Sequence, residues 1–162
     1  TFNGEDFKTF VRGLGHIIRG WGSVGGYFER GYAEHNDLRP VLSSFRRDFF
    51  AVEHLTHAEK HLSSIDKGAA CKRLCMYLRW FVRKDDRGVD FGQWQGIPMS
   101  ALYMPLDLHT GRLGRAFGLL RRKQSDWKAV EELTASLREF SQEDPTRYDY
   151  SLFGAGITQL FD

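Results

Sequence analysis

Cysteine is nearly absent from this sequence: Cys71 and Cys75 are the only two. Four residues apart on a helix, they lie on one side a turn apart, which suits small buried residues better than a disulfide framework. Two thiols are also too few for a four-cysteine iron–sulfur cluster. A reducing compartment is expected. No stretch approaches the ~18–20 apolar residues of a membrane span, and no charged-then-apolar signal segment opens the chain, so a cytoplasmic location without membrane attachment follows. Alternating strand patterns, repeats and low-complexity segments are missing too. The chain begins at Thr1 without an initiator Met and is expected to be a trimmed piece of a longer protein.

Acids are absent from two long windows. Between Lys67 and Lys84 there are six bases (Lys67, Lys72, Arg73, Arg79, Arg83, Lys84), and between Leu108 and Ser125 there are five (Arg112, Arg115, Arg121, Arg122, Lys123). The acids gather elsewhere, at Asp126, Glu131, Glu132, Glu139, Glu143 and Asp144. A net charge of +2 hides this segregation. Two readings are open: a surface that tracks phosphates and releases their counterions, or solvated helix faces.

What is present is helical periodicity. Phe7, Phe10, Val11, Leu14, Ile17 and Ile18 predict an amphipathic helix from Glu5 to about Arg19. Gly20, Gly22, Gly25 and Gly26 predict a loop, with a short helix around Tyr27 to Tyr32. Asn36 or Asp37 starts a helix with Pro40 in its first turn, running to about Leu55. His54, His57 and His61 share a helical face, but no third ligand of established spacing accompanies them, and no metal is assigned. Ser63 to Gly68 reads as a turn feeding a helix from about Ala69 to Val82. That helix has Cys71, Leu74, Cys75, Leu78, Phe81 and Val82 on a buried stripe and Lys72, Met76, Arg79 and Arg83 on another side. Lys84 to Gly96 is a polar loop carrying Phe91 and Trp94. A helix from His109 to Leu120 contains Gly111, Gly114 and Gly118, each costing about 1 kcal/mol relative to Ala, so close approach of a partner helix or a nucleic-acid backbone must justify them. Ser125 caps the next helix, with Trp127, Val130, Leu133, Leu137 and Phe140 inward. Pro145 opens a last aromatic segment, Tyr148 to Leu160. The fold class is all-α.

Asp107 stands where an extended segment turns into a helix, because Pro105 disfavours helical backbone just before it. An acid there can cap the helix by accepting first-turn N–H bonds, or face a cleft and stabilise positive charge on a substrate.

The run Leu106-Asp-Leu-His-Thr-Gly-Arg-Leu113 resembles the catalytic segment of the helix-hairpin-helix DNA glycosylase superfamily. Trp127-Lys-Ala-Val-Glu-Glu-Leu133, Pro145 and the Tyr148 to Gly156 helix are similar to the helices that close that domain. Cys71-Lys-Arg-Leu-Cys-Met-Tyr-Leu-Arg-Trp-Phe-Val-Arg83, joined to Pro105-Leu-Asp-Leu-His-Thr-Gly-Arg112, looks like an uncharacterised bacterial family typical of Bacteroidetes. That family lies near the superfamily, with the archaeal oxidised-guanine glycosylases as the most similar members.

The resemblance implies an orthogonal multi-helix domain of helix-hairpin-helix type spanning residues 1–162, lacking an amino-terminal portion. It implies a base-excision-repair-like DNA-binding protein, a DNA glycosylase/AP lyase acting on a flipped base in damaged double-stranded DNA. Lys72 matches the lysine that attacks the sugar C1′, with Lys67 as its substitute, and Asp107 matches the essential aspartate. The amine's pKa is expected to be lowered by burial and by cationic neighbours such as Arg73. Trp80, Phe91 and Trp94 are the candidates to stack on the extruded base. Lys67, Arg73, Arg79, Arg83, Arg112 and Arg115 are the candidate phosphate contacts. No cofactor is implied. The hairpin segment Ser64-Ile-Asp-Lys-Gly-Ala-Ala70 keeps one glycine where the superfamily has a glycine-rich turn. Two alternatives stand beside this reading: a non-catalytic nucleic-acid-binding domain and a protein-interaction domain.

Overall fold

The computed structural model describes residues 1–86 and 88–158. Among them the regular structure is helical, with one isolated antiparallel bridge, Ala69 to Asp126, and no strand. The chain divides into two compact units, Thr1–Asp66 and Lys67–Asp162.

In the first unit, α1 spans Gly4–Trp21, α2 Val24–His35 and α3 Leu38–Phe49. Asn3 starts α1 with a reciprocal cap, its side chain accepting from Glu5 N and Asp6 N while Asp6 accepts from Asn3 N. The periodic stripe of α1 is only partly its inner face: Ile17 is buried and Phe10 packs on Phe49, but Phe7, Val11, Leu14 and Ile18 are exposed, and Asp6, Thr9 and Gly13 are buried instead. Gly13 lets the backbone of α3 come so close that a Cβ there would lie 2.7 Å from the Phe49 carbonyl oxygen. Helix α2 is longer than its glycines suggest, for a related reason. Ser23 caps it by accepting from Gly26 N at 2.8 Å, and Gly31 lies directly beneath Val41. Helix α3 stops at Phe49, short of Leu55, and Thr56–His61 forms a 3₁₀ turn instead of a continued α-helix. There His57 and His61 place Nε2 atoms 2.8 and 3.1 Å from the two carboxylate oxygens of the buried Asp6. Phe28, Phe45, Phe49 and Tyr27 pack ring against ring in the core of this unit.

In the second unit, α4 spans Lys72–Val82, α5 Leu108–Ala116, α6 Trp127–Phe140 and α7 Asp149–Ile157. Helix α4 starts at Lys72, not Ala69, because Cys71 adopts left-handed backbone with φ +49°. That conformation costs a non-glycine residue about 1–2 kcal/mol. Helix α5 ends four residues earlier than expected. Gly118 turns left-handed at φ +73°, and the N–H groups of Leu119 and Leu120 donate to the Gly114 carbonyl. Asp126, rather than Ser125, caps α6, accepting from Ala129 N at 3.1 Å. Pro145–Tyr148 forms a 3₁₀ turn before α7; Leu160, the expected end of that segment, lies outside the described residues. Leu78, Leu102, Met104, Leu113, Leu120, Val130 and Leu133 are buried in this unit. The N–H of Met104 donates to Thr134 Oγ1 at 3.0 Å, fixing the strand-like segment that leads to Asp107.

One glycine of α5 and one of α7 are explained by neighbouring helices. A Cβ on Gly114 would meet Leu133 of α6 at 3.2 Å, and one on Gly156 would meet His109 Cβ at 2.8 Å and its backbone at 3.3 Å. Among the described residues no helix is long and apolar enough to cross a membrane. Because the obstacle at Gly156 includes backbone, Gly156→Ala is expected to push α5 and α7 apart and to destabilise the protein by about 1–3 kcal/mol, measured by urea unfolding.

Candidate functional site

Two residues 35 apart in sequence meet at the ends of two helices. Lys72 is the first residue of α4 and Asp107 the residue before α5, and Lys72 Nζ donates to Asp107 Oδ2 at 2.9 Å. The two readings of Asp107 turn out to be compatible because a carboxylate has two oxygens. Its Oδ1 accepts from Thr110 N at 2.8 Å and from Thr110 Oγ1 at 2.6 Å, capping α5, which leaves Oδ2 to face Lys72. Asp107 is mostly covered, with 12% of its side chain exposed, while Lys72 keeps 40%. Burial pushes the Asp107 carboxyl up, but the Thr110 hydroxyl and the Lys72 ammonium outweigh it and hold the group below the usual carboxylate range. The partner within reach of Lys72 is therefore a carboxylate, and Arg73 is exposed.

The pair opens onto a cleft of about 130 Å³ lined also by Met76, Arg79 and Trp80 of α4, Pro105, and Asp149, Tyr150 and Phe153 of α7. Ligand pockets commonly enclose roughly 300–1,000 Å³, so this one suits a single ring. The Lys72 ammonium stands 5.8 Å from the Phe153 ring centroid. Of the three predicted stacking residues, only Trp80 lines the cleft. Trp94 is buried and stacks on Phe81 at 4.8 Å, and Phe91, although exposed, also packs on Phe81 at 5.4 Å. The sequence places Met76 on the Lys72 side of α4, and the structure adds it to the cleft together with Tyr150 and Phe153, which the sequence does not single out. The 3.6-residue repeat from Lys72 to Met76 carried that signal; the α7 contribution depends on tertiary packing and has none in the local sequence.

Arg79 and Arg83 were expected on a phosphate-facing surface, and the fold places both inside. Arg79 is 2% exposed and forms an ion pair with Asp149 of α7. Its Nη2 donates to the Tyr150 hydroxyl at 2.7 Å, its guanidinium lies 4.4 Å from the Tyr150 ring, and its Nε faces Asp90 at 3.4 Å. Arg83 binds Asp85, Asp90 and Asp144 at 2.5, 2.8 and 2.8 Å. Burial disfavours its charge, yet the three carboxylates raise its pKa above the ordinary value. The helical stripe of α4 is thus wider than its apolar residues indicate, because two arginines reach their acids from loops and from α7. Arg112 donates to the Gly156 carbonyl at 2.8 Å, so it ties α5 to α7. Arg115 donates to the carbonyls of Arg122 and Lys123 at 2.8 and 2.9 Å, shaping the loop after α5. Lys67 and Arg73 are exposed. Cys71 and Cys75 are buried and form no disulfide, and burial raises the pKa of Cys75.

Two outcomes are expected. Arg79→Met leaves Asp149 without its buried counter-charge, and Asp90 with Arg83 alone, and should cost about 3–5 kcal/mol in chemical denaturation. Asp107→Asn can still cap α5 but loses the ion pair. Since the folded-state pKa of Asp107 is depressed, its charge contributes fully above about pH 4–5 and the contribution is lost as the pH falls through the lower folded value. The variant should be less stable by about 1 kcal/mol near neutral pH, and the difference should close in acid unfolding.

The model of a family described as "Protein of unknown function (DUF2400)" matches residues 1–158. Nothing among the curated proteins or the solved structures matches the chain.

Proposed function

The chain belongs to the DUF2400 family, and we propose that it binds DNA and acts on a nucleotide turned out of the duplex, as a DNA glycosylase with an AP-lyase step carried by Lys72. The observation that carries this reading is the convergence of Lys72 and Asp107, 2.9 Å apart, at the mouth of a ring-sized cleft walled by Trp80, Tyr150 and Phe153. An amine beside a carboxylate is the pairing that displacement at a sugar C1′ requires. The amine forms the new bond, and the carboxylate faces the positive charge that develops as the glycosidic bond breaks. The base leaves with the bonding electrons and the proton released by the Lys72 ammonium, and Asp107, held ionised by Thr110, stays as the counter-charge. The aromatic walls offer stacking faces that compensate for unstacking the base from the duplex.

Further support for a fold of helix-hairpin-helix glycosylase type comes from the order of parts. A turn with left-handed Gly68 leads into α4, Lys72 opens that helix, and Asp107 opens α5 after an extended segment. A second reading, a DNA-binding domain without catalysis, draws on the same ion pair, because a lysine closed onto a carboxylate is also an ordinary structural contact.

Borohydride trapping on duplexes carrying oxidised guanine, uracil or an abasic site separates the two. A covalent adduct is expected with the wild type, lost in Lys72→Ala and reduced at least a hundredfold in Asp107→Asn. Intact DNA binding with no adduct on any substrate would remove the Lys72 step and leave a monofunctional glycosylase or a non-catalytic binding domain.

A further inference from the structure

The loop between α5 and α6 holds three consecutive cationic residues, Arg121, Arg122 and Lys123, on a backbone gripped from two sides. From below, the Arg115 guanidinium donates to the Arg122 and Lys123 carbonyls and to Ser125 Oγ. From α6, the Glu132 carboxylate accepts from the N–H groups of Arg121 and Arg122 at 2.6 and 3.3 Å. Arg122 is also tied through its side chain to Asp126, with Nε donating to Oδ1 at 2.6 Å. The acids near the loop are therefore already engaged. Arg121, Lys123 and Lys128 remain, exposed and with no intramolecular ion pair among the described residues, around an open cleft of about 560 Å³. Glu132 also lines the cleft and keeps its charge, but the bases there outnumber it, and like charges held together repel one another, so this is a surface that gains energy from an arriving anion.

We propose that this basic cleft grips the phosphodiester backbone of duplex DNA beside the site of the Lys72–Asp107 pair. The choice of a polymer over a compact phosphate follows from where the backbone donors go. The N–H groups of Arg121 and Arg122 bind Glu132, and the N–H of Ala129 in the first turn of α6 binds Asp126. With Trp127 N on the Gly68 carbonyl, these four amides are spent inside the protein and do not face a terminal phosphate. What the loop offers is spaced point charges on long side chains, which suit successive phosphates along a strand. Its location fits. Asp126 bridges to Ala69, and Trp127 N donates to the Gly68 carbonyl at 2.9 Å, so the loop's end is pinned to the turn that leads into Lys72. The nine residues of α5 set Asp107 about 13 Å from the loop, so a strand lying over the cleft passes within a few nucleotides of the pair.

This inference rests on the DNA-binding part of the function proposed above and is independent of the lyase chemistry. The test is fluorescence anisotropy of the full chain with a labelled, undamaged duplex over a salt series. It compares wild type, Arg121→Ala/Lys123→Ala/Lys128→Ala, and a control that removes the same charge from α1, Lys8→Ala/Arg12→Ala/Arg19→Ala. The cleft variant is expected to bind at least tenfold more weakly at low salt, with the slope of log affinity against log salt shallower by about 2–3, while the control keeps the wild-type slope. Circular dichroism should be unchanged, since the three side chains make no internal ion pair. Equal slopes for wild type and cleft variant, an equal loss in the control, or no wild-type binding would overturn the assignment. So would inorganic phosphate blocking the duplex at matched ionic strength, which would mark a site for the free ion. Trapping of an abasic duplex at saturating protein reads the lyase reading separately. An adduct with unchanged slopes sinks only the cleft, and a changed slope without an adduct sinks only the chemistry.

Discussion

A guanidinium taken out of water has to be neutralised where it sits, and Arg79 makes that demand at the centre of the second unit. Its charge on α4 is met by Asp149 at the start of α7, and its remaining donors reach Tyr150 and face Asp90. Leaving such a charge unpaired is far costlier than any surface contact is worth, so α4 and α7 hold a fixed relation to one another. That relation brings Tyr150 and Phe153 over Lys72 and Met76. The cleft wall is thus built by an electrostatic requirement one layer beneath it.

Close helix packing completes the frame. Gly156 seats α7 against His109, Arg112 adds a bond to the Gly156 carbonyl, and Gly114 brings α5 against Leu133 of α6. With α5 held on two sides, the position of its first turn is set, and with it the position of Asp107. The carboxylate is then divided between two tasks, one oxygen on Thr110 and the other on Lys72. The helix start and the candidate site are therefore one feature, and the same contacts that cap α5 keep the carboxylate ionised.

The charge segregation of the sequence has a more divided outcome than its two acid-free windows suggest. In the first window Arg79 and Arg83 turn inward to acids from other segments, leaving Lys67 and Arg73 at the surface. In the second, Arg112 and Arg115 hold backbone carbonyls, and Arg121 and Lys123 stay exposed. Arginine suits the inward role because its planar fork can bind several oxygens at once.

What the sequence determined alone is local. Apolar spacing located α1, α3, α4, α5 and α6 and the all-α class, with α2 expected only as a short helix after a glycine loop; Pro105 and Asp107 marked the start of α5, and the four-residue spacing of two lone thiols and the lack of long apolar runs spoke against a disulfide framework and a spanning helix. Boundaries failed where backbone geometry overrode pattern: left-handed Cys71 delayed α4, left-handed Gly118 ended α5, and the glycines of α2 were helical because a neighbour needed the space. Only the tertiary structure decided that α1 turns Asp6, Thr9 and Gly13 inward, that Trp94 belongs to an aromatic stack, and that Lys72 meets Asp107 across 35 residues. Periodicity reports which side of a helix can be buried. Which partner covers it, and which distant charge lies opposite, is settled when desolvated groups and closely packed backbones from separate segments must be satisfied together.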